Sequence, residues 1–271
     1  MRGSRLRVGL TVVFAVLLLS ACGGTAAKPT PSPSGQATIE GESIDRLPTA
    51  PGPARPTPTP AATLTQDQYA TAVFNDVQSM WSQEFRRAGV TYHAARLVLF
   101  SSEVATACGT ETSEVGPFYC PADGSVYLDL AFLTAMQQFL NAEGDFARAY
   151  IIAHEMGHHV QNLLGISVRA NAAKQQNPPQ ANAISVRVEL QADCLAGVWA
   201  HSAYQRDLVK PGDMEQALRA AASVGDDFQS HLAGQHVQPE NWTHGSSAQR
   251  QQWLQGGFDG GRADDCDTFA A

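Results

Sequence analysis

The chain is 271 residues long, 44% hydrophobic and only 16% charged, a charged share well below the roughly 25% of an ordinary soluble domain. Its 18 basic and 26 acidic side chains leave a net charge of −8, so no basic field exists to neutralise phosphates, and nucleic-acid binding is excluded. The length allows one large domain or two small ones.

Part of the apolar excess sits at the N-terminus. Arg2, Arg5 and Arg7 precede an apolar run from Val8 to Leu19, which is short for a bilayer-spanning helix. A basic segment followed by an apolar one and then small residues is the order of a secretory signal, assigned here to residues 1–21. The end of it, Leu19-Ser20-Ala21-Cys22, resembles a bacterial lipobox. That pattern implies cleavage before Cys22, a lipid on its thiol, and residence on the extracytoplasmic face of the cell membrane. Without the three signal arginines the balance is 15 − 26 = −11, so an anionic lipid surface should repel the body and leave the lipid anchor as its membrane contact. Nine of the 15 prolines lie between Pro29 and Pro60 among Thr, Ser, Gly and Ala. Such a composition cannot bury enough apolar surface to order itself, so residues 22–62 are expected to be a tether reaching up to ~100 Å. Residues 63–271 remain for one sizeable core.

The body reads as mainly helical. Thr65 is an N-cap for a helix to about Ala88, with Tyr69, Val73, Phe74, Val77 and Trp81 at helical spacing and Gly89 as the stop. Ala95–Phe100 is a short apolar strand, and Phe118–Tyr119 with Val126–Leu128 flank a turn to make a hairpin. Val126–Asp129 is expected to be a core strand, the alternative being an edge on which a peptide could pair. Leu130–Leu140 and Asp145–Leu164 are helices, the second closed by Gly165. A polar loop with Pro178 and Pro179 leads to a long helix over Asn182–Arg206, and shorter helices follow near Asp213–Ala222 and Ala248–Gln255. The expected class is α+β: a mainly helical domain beside a small antiparallel sheet.

Beyond Cys22, four cysteines remain, an even number that in an oxidising compartment suggests two disulfides with three possible pairings. The favoured pairing is Cys108–Cys120, closing a short loop worth about 3 kcal/mol, and Cys194–Cys266, pinning the C-terminal tail for about 4 kcal/mol. No CxxC pair is present, which argues against a four-cysteine zinc site.

The chemistry is concentrated in His154-Glu155-Met156-Gly157-His158. Histidines at i and i+4 share a helix face and can reach one zinc ion, while Glu155, turned about 100° away, can address water instead. With 8 histidines and 11 glutamates in 271 positions, such a pattern arises by chance about 0.01 times per chain, so coincidence is set aside. Two histidines leave a catalytic zinc one protein ligand short. Glu189 and Asp193, again i and i+4 on the next long helix, supply the third ligand and a carboxylate to hold the outer ring nitrogen of a histidine. Their apolar neighbours leave little solvated face, and unpaired carboxylates would be costly to bury.

The pairing of HEMGH with ELQAD resembles the gluzincin arrangement of thermolysin-like peptidases. More narrowly, the runs Gly116-Pro-Phe-Tyr-Cys-Pro, Val188-Glu-Leu-Gln-Ala-Asp-Cys and Thr243-His-Gly-Ser-Ser-Ala-Gln-Arg are similar to the neutral zinc metallopeptidase family. The likeness spans approximately residues 65–269 and implies one Zn²⁺ per chain, a zincin-like fold and a peptide or protein substrate. In the reaction this implies, Glu155 is the general base and a further donor stabilises the oxyanion. His244, in a Gly- and Ser-flanked loop before a helix, is the candidate donor, against a plain exposed loop histidine. Tyr150, one turn before His154, is the weaker candidate. His159 is rotated off the ligand face and expected to hydrogen-bond locally, and His93, His201, His231 and His236 are not assigned to metal. Competing readings are a zinc-stabilised surface binding module and a cell-wall peptide amidase. Intact Glu155 argues against the first, because a structural site needs no base. No residue pattern specifies a substrate or an oligomeric state.

Overall fold

The computed structural model describes residues 64–113, 115–139 and 145–270. The expected signal peptide, the lipidated Cys22 and the tether lie outside them. Helix α1 (Gln66–Arg87) starts at Thr65, whose side chain accepts from the Gln68 amide while Gln68 reaches back, a reciprocal capping box. Asp67 in its first turn and Arg86 and Arg87 in its last complement the helix dipole, and Gly89 ends it with φ 71°. Ala70, Phe74, Val77, Trp81 and Phe85 form its buried stripe.

Strands β1 (Arg96–Phe100), β4 (Phe118–Cys120) and β5 (Ser125–Asp129) form a three-stranded sheet in the order β1-β5-β4. The expected hairpin is present as β4–β5, antiparallel with Phe118 opposite Tyr127. The sheet as a whole is mixed, however, because β1 pairs parallel with β5, Arg96 opposite Ser125. That corrects the antiparallel expectation. The chain between β1 and β5 makes a second hairpin, β2 (Glu103–Thr106) with β3 (Gly109–Thr112), and then β4, so it re-enters the sheet running the same way as β1. β5 is central and buried at all five positions, a core strand, and β4 holds an edge. Cys108–Cys120 ties the second hairpin to β4, and Cys194–Cys266 ties the C-terminal tail to a helix, the pairing expected.

The helices follow the sheet: α2 (Leu130–Phe139), α3 (Phe146–Leu163), α4 (Ile166–Gln176), α5 (Ala181–Gln205), α6 (Asp213–Ser223), α7 (Asp226–Leu232) and α8 (Ser247–Gly260). Every residue of α3 from Phe146 to Gln161 is buried except His158, so α3 is the central helix, enclosed all round instead of by a stripe. The stretch expected to be a polar loop before Asn182 contains α4, which buries only Ile166 and Ala170. α5 lies against α3 on one side and α8 on another. Both contacts are made at backbone level. A Cβ added to Gly157 of α3 would meet the Ala192 carbonyl oxygen at 3.0 Å. One added to Gly257 of α8 would meet the Cys194 carbonyl oxygen at 2.0 Å, and one on Gly197 would meet that of Leu254 at 2.2 Å. No helix among the described residues is long and apolar enough to cross a membrane.

Candidate metal centre

Helices α3 and α5 cross with Gly157 against Ala192, and this approach brings the HEMGH face up to Glu189. His154 Nε2 lies 3.2 Å from Glu189 Oε2, and His158 Nε2 lies 3.5 Å from Glu189 Oε1. Two nitrogens and a carboxylate oxygen within 4.8 Å of one another form the only group of three or more His, Cys, Asp or Glu side chains among the described residues that could share a metal ion.

Each imidazole is oriented from behind. His154 Nδ1 donates to Asp193 Oδ1 at 2.9 Å, and His158 Nδ1 donates to Gln161 Oε1 at 2.8 Å. Both Nε2 lone pairs are thereby left for the third side, where Glu189 stands. Asp193, fully buried, is gripped by Arg250 of α8: Nε donates to Oδ2 at 2.7 Å and Nη2 to Oδ1 at 2.8 Å, the fork geometry of a bidentate pair. Tyr150 also donates to Asp193 Oδ1, at 2.6 Å, so it serves the same carboxylate instead of merely packing.

The electrostatics follow from this crowding. Burial alone would lower the His154 imidazole, but the hydrogen bond and charge of Asp193, with Glu189, outweigh it and hold His154 up to about 10. Burial likewise opposes charge on His158, and Glu189 overrides it. Against burial, the two histidines hold Glu189 well below the usual carboxylate range, and Arg250 holds Asp193 down. Burial disfavours the Arg250 charge too, yet Asp193 raises that guanidinium further above its ordinary value. Glu189 and Asp193 thus contribute two negative charges against one from Arg250, an arrangement that attracts a cation, and protons and a metal compete for the same lone pairs.

A cavity of about 350 Å³ opens over this group. His154, His158, Glu189 and Arg250 line it, together with Glu155, Tyr150 and His244. Phe118 and Tyr119 of edge strand β4, Phe132, Ile151 and Val224 supply an apolar wall. The donor set fits zinc of the catalytic kind: two imidazoles and one carboxylate, with the remaining side open to a cavity instead of closed by a fourth protein ligand. Glu155 is in the cavity but outside the ligand triplet, as its rotation on the helix requires. His244 is half-exposed, with Nδ1 3.2 Å from Asp226 Oδ1, while Asp226 Oδ2 accepts from the backbone amides of Thr243, His244 and Gly245 at 2.7–2.9 Å. The loop carrying His244 is therefore fastened to the first residue of α7. The local hydrogen bonding expected of His159 is not what it makes: its partners lie far along the chain, the His93 carbonyl oxygen at 2.8 Å and the Tyr119 hydroxyl at 3.1 Å.

Three contributors escaped the sequence reading: Arg250, Gln161 and Asp226. Gln161 had a usable signal, since it lies three residues beyond His158 and so on the same helical face. Arg250 closes the run Thr243–Arg250, yet nothing local connects it with Asp193, 57 residues away.

A family model described as "Putative neutral zinc metallopeptidase" matches residues 43–269. YpfJ of Escherichia coli (strain K12) is 47% identical over 204 residues, covering 74% of this chain and 71% of its own length. Rv2575 of Mycobacterium tuberculosis is 44% identical over 211 residues, covering 74% of this chain and 69% of its own length. Both are described as uncharacterized proteins. No solved structure matches the chain significantly.

Proposed function

The chain belongs to this neutral zinc metallopeptidase family, and from that premise we propose that it is a peptidase of the bacterial cell envelope, anchored outside the membrane through Cys22. The observation that carries the chemistry is the convergence of His154, His158 and Glu189 on one point of an open cavity, with Glu155 beside them and not among them. The first three hold zinc. Zinc, when bound, supplies a Lewis acid that polarises the scissile carbonyl and makes water more acidic. Glu155 takes the proton of the attacking water and returns it to the leaving amine. His244, steadied by Asp226, is the side chain assigned to donate to the oxyanion. Strand β4 stands at the sheet edge with Phe118 and Tyr119 lining the cavity, a position suited to pair with an extended peptide, and the apolar wall is suited to seat an apolar side chain.

Glu189 tests the ligand set. Glu189→Gln should lower zinc affinity by at least about 10-fold, measured by chelator competition on the purified chain. Unchanged stoichiometry and affinity would remove Glu189 from the site and with it the gluzincin arrangement. The anchor rests on the signal-like N-terminus and on two disulfides suited to an oxidising compartment. Metabolic labelling with a radioactive fatty acid should mark the wild-type chain and not Cys22→Ala, and a wild-type chain that takes up no label, or a variant that takes up as much, would refute lipidation at Cys22.

A further inference from the structure

The C-terminal tail runs along one stripe of α5, touching it at Arg187, Gln191 and Cys194. Thr268 Oγ1 donates to the Arg187 carbonyl oxygen at 2.7 Å, Gln191 Nε2 donates to the Cys266 carbonyl oxygen at 3.0 Å, and Cys194 is bonded to Cys266. Gln191 and Gln161 are fully buried amides, and no step of the proposed reaction uses them. They nevertheless join the tail to the metal centre. Gln161 Nε2 donates to Gln191 Oε1 at 3.0 Å, and Gln161 Oε1 accepts from His158 Nδ1 at 2.8 Å.

The direction of this chain of hydrogen bonds is set by two backbone carbonyls, Cys266 at its far end and Val188 beside Gln161. A carbonyl oxygen can only accept, so the Cys266 carbonyl makes Gln191 present its NH₂ to the tail and its oxygen to Gln161. Gln161 must then turn its own NH₂ toward Gln191, a sense reinforced by its bond to the Val188 carbonyl oxygen at 2.7 Å. Its oxygen is left facing His158, which keeps hydrogen on Nδ1 and leaves Nε2 free to ligate. A flipped Gln161 amide would favour the opposite tautomer, with Nε2 blocked by hydrogen.

We infer that the disulfide-locked tail is a positioning element of the metal centre, acting on His158 through Gln191 and Gln161, so that full zinc affinity is reached only once the Cys194–Cys266 bond has formed. This rests on the zinc reading above. Forming the bond takes one proton from each thiol and two electrons in all, which pass to a disulfide oxidant that leaves as a dithiol. Both sulfurs belong to buried residues, Cys194 at 1% and Cys266 at 0% exposure, so the bond is a one-way latch once the chain has folded. An exported chain would thus complete its metal site after reaching an oxidising compartment.

The test compares the full chain with Gln191→Met, with Cys194→Ser/Cys266→Ser, and with Cys108→Ser/Cys120→Ser as the control for losing a disulfide elsewhere. Zinc dissociation constants come from chelator competition, and the His158 tautomer from nitrogen-15 NMR of chelator-treated protein along a pH titration, read on the alkaline side where the ring, raised against its burial by Glu189, has become neutral. The first two variants should bind zinc about 10-fold more weakly, the low end of the roughly 10–100-fold loss for outer partners of a metal ligand, and show a mixed His158 tautomer. The control should match wild type in both. Wild-type affinity and a pure Nδ1–H tautomer in Gln191→Met would overturn the proposal, as would equal weakening in the control. Should the double cysteine variant fail to fold, Gln191→Met decides alone. Should wild type take up no zinc, the zinc reading falls, while the tautomer comparison still decides whether the tail sets the histidine.

Discussion

Glu155→Gln is expected to bind zinc as wild type does and to hydrolyse peptides about 10²–10⁴-fold more slowly, the span that a positioned general base contributes. Glutamine keeps the shape of the side chain and removes the proton acceptor. Because Glu155 lines the cavity without belonging to the ligand triplet, its charge is not needed to complete the donor set. Elemental analysis for zinc and single-turnover cleavage of a mixed peptide library, run on the same two samples, separate the roles. Equal cleavage by both proteins would remove Glu155 from the reaction. Loss of zinc from the variant would instead place Glu155 among the ligands. Zinc in both with cleavage by neither would favour the zinc-stabilised binding module.

Arg250→Met should be the most destabilising single change at the site, costing about 3–5 kcal/mol, because it takes from a fully buried carboxylate its permanent cation and leaves only Tyr150 and His154 to hold it. Asp193 has no exposure, and Arg250 contributes two of the bonds that keep it charged and in place. For a body of this size that loss corresponds to a fall in Tm of at least roughly 6 °C. The pair itself need not be a net stabiliser, since desolvating two ions offsets most of their attraction. Hence the double variant Arg250→Met/Asp193→Asn should recover much of the loss. Melting curves of the two single variants, the double variant and wild type, all with excess chelator, give the coupling energy. Additive losses would mean that the two side chains act independently.

How much of this was visible in the residues depends on how locally each feature is encoded. The HEMGH helix and the Glu189–Asp193 pair were legible because a four-residue spacing fixes a shared face whatever the fold around it. The capped start of α1 and its stop at Gly89 were legible for the same reason. Helix α4 was not, since Ile166 and Ala170 are its only buried residues and no apolar period runs through it. The β2–β3 hairpin has no fully buried position and so no alternating pattern to read. Parallel pairing of β1 with β5 is a choice among distant partners that strand composition does not encode. Arg250 was invisible for a related reason: its role is defined by a carboxylate on another helix. Asp226 stood in a segment with no helical signal, and only the folded chain brings it under the His244 loop.

Most neighbouring helices are held about 8–10 Å apart by their side chains, and their spacing shifts when those side chains are exchanged. The contacts at Gly157, Gly197 and Gly257 are of another kind, peptide group against peptide group. They join the three helices that bear His154 and His158, Glu189 and Asp193, and Arg250. Peptide groups have no rotamers and the same dimensions in every residue. The ruler that sets the ligand distances is therefore the polypeptide backbone itself, and its gradations do not depend on which residues fill the core around it.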